Sequence, residues 1–133
     1  MNLNQVTLPA RDVAASASFY RAMGFTQIVD TPHYARFECP VGESTFSVHH
    51  VDMAPSDSGV VVYFEVEQLD EKVRELEGRG VKFLHRPADE RWLWREARLR
   101  DPSGNVICLF WAGENRRYPP WRISAPQARD SHN

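Results

Sequence analysis

A chain of 133 residues, 42% apolar and carrying a net charge of −2, has the length and composition of one globular domain. A duplex-binding protein needs a basic excess or stripe, so nucleic acid is not the expected partner. No apolar run approaches the roughly 20 residues of a bilayer span, and two cysteines without a signal peptide fit a reducing cytoplasm rather than a disulfide framework.

In chain order, Val6 and Leu8 alternate with Gln5 and Thr7, the period-2 pattern of a half-buried strand. Asp12 is a helix N-cap candidate, because its carboxylate can accept orphan N–H groups of a first turn. Val13, Ser16, Ala17, Tyr20 and Met23 recur at helical spacing, and Gly24 supplies the stop. Short strands are predicted near Gln27–Val29, Tyr34–Cys39 and Thr45–Val51, with Pro40-Val41-Gly42 turning the last two into a hairpin. A Pro-, Ser- and Asp-rich linker, Asp52–Gly59, follows. Next come a strand over Val60–Val66 and a helix over Leu69–Gly78 with Leu69, Val73 and Leu76 on one face. Three further strands are predicted near Lys82–His85, Trp92–Arg100 and Asn105–Trp111, the last two joined by the turn signal Asp101-Pro102-Ser103-Gly104-Asn105. The tail after Gly113, with Tyr118-Pro119-Pro120-Trp121, reads as extended.

The two halves say the same thing twice. Gly24 corresponds to Gly80, Asp12 to Gln68 and Gln5 to Val61, each at a spacing of 80 − 24 = 56 residues. A repeat of this length is one supersecondary unit that cannot bury its apolar face alone, so each βαβββ module needs the other. Strand alternation then sorts the faces. Val60, Val62, Phe64 and Val66, with Phe46, Val48, Ile107, Leu109 and Trp111, form the helix-side sets. Leu3, Gln5, Thr7, Thr45, Ser47, His49, Val61, Tyr63, Glu65, Val106, Cys108 and Phe110 face the other way. In the middle strands the outward-apolar sets are Ala35, Phe37 and Cys39, and Leu93, Ala97 and Leu99. That leaves Tyr34, Arg36 and Glu38, and Trp92, Trp94, Glu96 and Arg98, on the cavity face.

LNQVTLPARDVAASASFYRAMGF at the start, VVVYFEVEQLDEKVRELEGRGVKF in the middle and Arg100–Asn105 before the last strand make the chain resemble the vicinal oxygen chelate superfamily, which includes glyoxalase I, bleomycin-resistance proteins and extradiol dioxygenases. The resemblance covers about residues 1–112, as modules 1–53 and 58–112, with 113–133 as a tail. It implies an α+β fold of two tandem βαβββ modules whose curved mixed sheets enclose a cavity, and a homodimer. Metal-dependent members take ligands from one position on the first and one on the last strand of each module. Here those positions are Gln5, Ser47, Val61 and Cys108. Valine cannot bind metal, serine is a poor ligand and a lone cysteine needs partners, so no metal or other cofactor is expected. A displaced set of Gln5, His49 and Cys108 would be incomplete.

The expected function is small-molecule binding, with an aromatic or anionic ligand held by Gln5, Arg36, His49, Tyr63, Trp92, Trp94, Arg98, Cys108 and Phe110. Arg36 and Arg98 occupy equivalent places and either clamp an anion or pair with Glu38 and Glu96. The aromatic residues serve equally well as dimer-interface core. The alternatives are a glyoxalase I-like lyase or isomerase, or a dioxygenase, with a non-standard ligand set, or a metal-free catalyst using Glu65 or Glu96 as base. Arg116, Arg117, Tyr118, Trp121 and Arg122 of the tail either cover the cavity mouth or dock on a partner subunit.

Overall fold

The computed structural model describes residues 1–53 and 58–124. The predicted order of elements is present: β1 (Gln5–Ala10), α1 (Val13–Met23), β2 (Thr26–Asp30), β3 (Tyr34–Glu38) and β4 (Thr45–His50), then β5 (Val61–Glu65), α2 (Leu69–Gly78), β6 (Ala88–Asp89), β7 (Arg95–Arg100) and β8 (Val106–Trp111). Each module forms its own four-stranded mixed sheet, in the orders β1-β4-β3-β2 and β5-β8-β7-β6. In both, the first strand pairs in parallel with the last, Thr7 opposite Ser47 and Tyr63 opposite Cys108. The architecture is α+β, two βαβββ units in tandem.

The helices begin and end for local reasons that the repeat carries unevenly. Asp12 caps α1 by accepting from the Ala15 N–H at 3.0 Å, whereas Gln68, its counterpart, makes no side-chain cap on α2. Both helices stop on the same motif. Gly24 and Gly80 adopt φ of 108° and 91°, and the next residue donates back to the helix, Phe25 N–H to Tyr20 and Val81 N–H to Leu76.

The helix-bearing faces of both sheets share one apolar core, as the alternation requires. Tyr20, Phe37, Phe46, Val48, Val73, Leu76, Leu99 and Ile107 are all buried in it. Phe64 of the second module meets Phe25 at 4.8 Å and Phe46 at 5.3 Å between ring centroids. Polar links close the same junction: the buried Tyr20 hydroxyl donates to Asp101 at 2.7 Å, and Asn105 Nδ2 donates to the Pro9 carbonyl at 2.9 Å. Each module covers what the other cannot bury.

Three expectations need correction. Residues 82–85 are not a strand; the sixth strand is the two-residue Ala88–Asp89, although the Leu84 N–H still donates to the Arg98 carbonyl at 2.7 Å. The seventh strand starts at Arg95, not Trp92, because 91–94 form a turn closed by the Glu90 N–H on the Trp94 carbonyl. Leu93 is therefore not a core residue but is 46% exposed, and the helix side of that strand begins with Arg95, held bidentately by Asp70 of α2 at 2.8 and 2.9 Å. The tail is not extended throughout, since Gly113–Asn115 makes a 3₁₀ turn. Part of the expected linker, 54–57, and the tail beyond 124, with His132, lie outside the described residues. Among the described residues no helix is long and apolar enough to cross a membrane.

Candidate functional site

The helix-free face of the first module is a polar network. Ser47, fully buried at the centre of β4, accepts from Gln5 Nε2 at 3.0 Å and shares a hydrogen bond with the Thr7 hydroxyl at 2.8 Å. Gln5 also accepts from the Thr45 hydroxyl. On β3, the Arg36 guanidinium donates through Nε to the Tyr34 hydroxyl at 2.9 Å and lies 5.3 Å from that ring's centroid. The hydrogen bond with Ser47, and then Arg36 itself, hold the Tyr34 phenol below the usual tyrosine range. His49 is exposed on the same face, opposite Tyr34 in the ladder. Its neighbour His50 turns away to Asp52 at 3.2 Å.

The matching face of the second module is aromatic. Trp94 and Phe110 stack with centroids 4.7 Å apart and planes 22° apart, and Tyr63 stands perpendicular to both at 5.7 and 5.6 Å. Trp94 and Phe110 form, with Val61, Cys108 and Ala112, an apolar cluster separate from the main core, and Tyr63 stands at its exposed edge. Beneath it sits Glu96, 2% exposed. Its Oε2 accepts from the Trp92 indole N–H at 2.7 Å, and its Oε1 pairs with Arg98 Nη2 at 3.3 Å. Arg98 also donates to the Tyr63 hydroxyl at 3.0 Å. Cys108 is fully buried, and burial first, then the neighbouring Glu96 charge, push its thiol up to about 12.

A strained turn sets this arrangement. Leu93 has φ of 69°, in the left-handed region that side chains other than glycine rarely occupy. The reversal lets Trp92, outside the strand, bring its indole back to Glu96 while Trp94 enters the aromatic stack. Trp94 in turn donates to the Asn115 carbonyl at 3.0 Å, pinning the start of the tail beside the face. The tail basic and aromatic groups gather on each other, with Arg122 4.5 Å and Arg117 5.6 Å from the Tyr118 ring centroid.

The expected site residues thus divide between two surfaces. Gln5, Arg36 and His49 lie on the first face; Tyr63, Trp92, Trp94, Arg98, Cys108 and Phe110 on the second. The faces point away from the shared core, and among the described residues no hydrogen bond, ion pair or ring contact joins them. They approach at a seam, where Gln5, Thr45 and Tyr63 line a cavity of about 190 Å³. The two arginines also part company. Arg98 pairs with Glu96, but Arg36 bonds to Tyr34 rather than Glu38. Strand alternation places Tyr34 and Thr7 on these faces without partners, and of the two alternatives for Arg98 the structure shows the pair with Glu96. The signals were the registers of Thr7, Tyr34 and Glu96 opposite Ser47, His49 and Phe110, which only the resolved pairing makes specific. At the four positions that the resemblance implies for metal ligands stand Gln5, a hydrogen-bonded Ser47, the hydrocarbon Val61 and the buried thiol of Cys108. No cluster of three or more His, Cys, Asp or Glu suited to a metal occurs among the described residues.

Comparison with known proteins gives this geometry its family. The uncharacterized protein YraH of Bacillus subtilis (strain 168) is 26% identical over 129 residues, spanning 83% of this chain and 98% of that protein. A bleomycin-binding protein solved with bleomycin superposes with a TM-score of 0.70 at 21% identity, over 84% of this chain and 98% of that one. A glyoxalase/bleomycin resistance protein/dioxygenase from Nocardioides superposes with a TM-score of 0.72 at 23% identity, over 93% and 90% of the two chains. A sequence model of one family matches residues 2–109, most of the chain. The chain belongs to the glyoxalase/bleomycin resistance protein/dioxygenase superfamily.

Proposed function

We propose that this protein binds a small molecule with a planar aromatic part and does so without the divalent metal of its metal-dependent relatives. The observation that carries the reading is the Trp94–Phe110 stack with Tyr63 set edge-on to both, an aromatic cluster outside the main core on the helix-free face. The buried Phe110 backs the cluster and Tyr63, 41% exposed, presents it to a ligand, and a few fixed polar groups beside it suffice for orientation. The bleomycin-binding neighbour of the same fold supports a ligand-holding use of the scaffold. Because the polar face and the aromatic face point away from one core, two copies of the chain are needed to set them opposite each other, and the working form is a homodimer. The free thiols Cys39 and Cys108 support a cytoplasmic location.

The donor set argues against a metal. Val61 offers nothing, the Ser47 hydroxyl is already engaged, and among the described residues no group of three or more His, Cys, Asp or Glu surrounds Cys108. The residues do not fit the group. Glu96 is a poor base, because both of its oxygens already accept from Trp92 and Arg98. A thermal-shift screen of aromatic antibiotics, bleomycin included, tests the proposal alongside metal analysis of the same sample. The expected result is stabilisation by at least one aromatic compound and no stoichiometric metal. Stoichiometric zinc, nickel, iron or manganese, lost in a Gln5→Ala variant, would establish the metal-dependent alternative instead.

A further inference from the structure

The repeat relates two arginines that the structure treats differently. Arg36 stands opposite Ser47 and Arg98 opposite Cys108, equivalent positions of the two ladders, and each guanidinium donates to a tyrosine hydroxyl, at 2.9 and 3.0 Å. Arg98 is neutralised by the buried Glu96 two residues before it. At the equivalent place before Arg36 the chain carries Tyr34, a phenol rather than a carboxylate, opposite His49 as Glu96 is opposite Phe110. Among the described residues no carboxylate lies within ion-pairing distance of Arg36, and its only side-chain hydrogen bond uses Nε, leaving the terminal fork without a partner.

A half-buried guanidinium whose only partner among the described residues is the Tyr34 ring and hydroxyl has no counter-charge, and its free fork matches a carboxylate bidentately. We propose that Arg36 is the carboxylate anchor of this site, so that the ligand is a planar aromatic acid, its ring against Tyr63 at the exposed rim of the aromatic cluster and its carboxylate on Arg36. The inference rests on the binding function proposed above and adds the charge of the ligand. It also replaces the symmetric two-arginine clamp with a single anchor, because Glu96 already occupies Arg98. In the assembled dimer the ring and the anchor come from different copies.

Isothermal titration of the full chain with 2-naphthoate and with the neutral 2-naphthamide tests it. The expected result is at least tenfold tighter binding of the acid, with Arg36→Gln abolishing that preference. Arg36→Lys, which keeps the charge without the fork, retains part of the preference and guards against a folding defect in the glutamine variant. Equal affinity for acid and amide in the unmodified protein, or an acid preference that survives Arg36→Gln, overturns the anchor and leaves aromatic binding standing. Failure of both probes to bind overturns the binding function itself.

Discussion

Burial and charge act together on single groups in this molecule, and alkaline pH exposes them. The Cys108 thiol is pushed up to about 12 from an ordinary 9.0 by burial and by Glu96, and burial beside Asp101 raises the Tyr20 phenol above its ordinary 10.0. Both groups ionise more readily unfolded than folded. Their contribution to stability is therefore complete below pH 9 and is lost as pH rises through 9 toward 12. Urea midpoints measured across pH 8–11 should fall in that window, and Cys108→Ala should flatten the decline between 9 and 10, where the tyrosine does not yet respond. Alternation alone was enough to place Cys108, Arg36 and Phe110 on their faces. It could not tell that Arg98 would be neutralised and Arg36 not, because that depends on which same-strand neighbour bends toward which guanidinium.

At the level of elements, sequence period succeeded where strands are regular and failed at the one irregular turn. Trp92-Leu93-Trp94-Arg95 alternates well enough to pass for a strand, yet the chain reverses there and sends Leu93 to solvent with φ of 69°. Nothing in a period-2 pattern reports a positive φ at leucine. The strain invites a test: Leu93→Gly removes the left-handed penalty of about 1–2 kcal/mol per residue and loses only a half-exposed side chain. A net gain of roughly 0.5–1 kcal/mol in chemical denaturation is expected. A loss of stability would show that Leu93 packs more than its exposure indicates. The sixth strand escaped the pattern for a different reason: two residues are too few to show any period.

For the whole molecule, duplication was legible because the stop motifs at Gly24 and Gly80 and the strand faces repeat at the same spacing. How the two copies meet was not, since that junction is made by residues without counterparts, Tyr20 on Asp101 and Asn105 on Pro9. Tyr20→Phe should cost about 1–3 kcal/mol in urea unfolding, as expected for removing one donor from a buried, charged acceptor. The loss should stay a single cooperative transition, because both modules share one core. The central claim is that the helix-free faces bind an aromatic small molecule without metal. Quenching of tryptophan fluorescence by 2-naphthoate, before and after exhaustive treatment with EDTA, tests it most directly. Saturable quenching that the chelator leaves unchanged and that Tyr63→Ala abolishes is the expected result. Quenching that disappears with the chelator and returns with added divalent metal would contradict it.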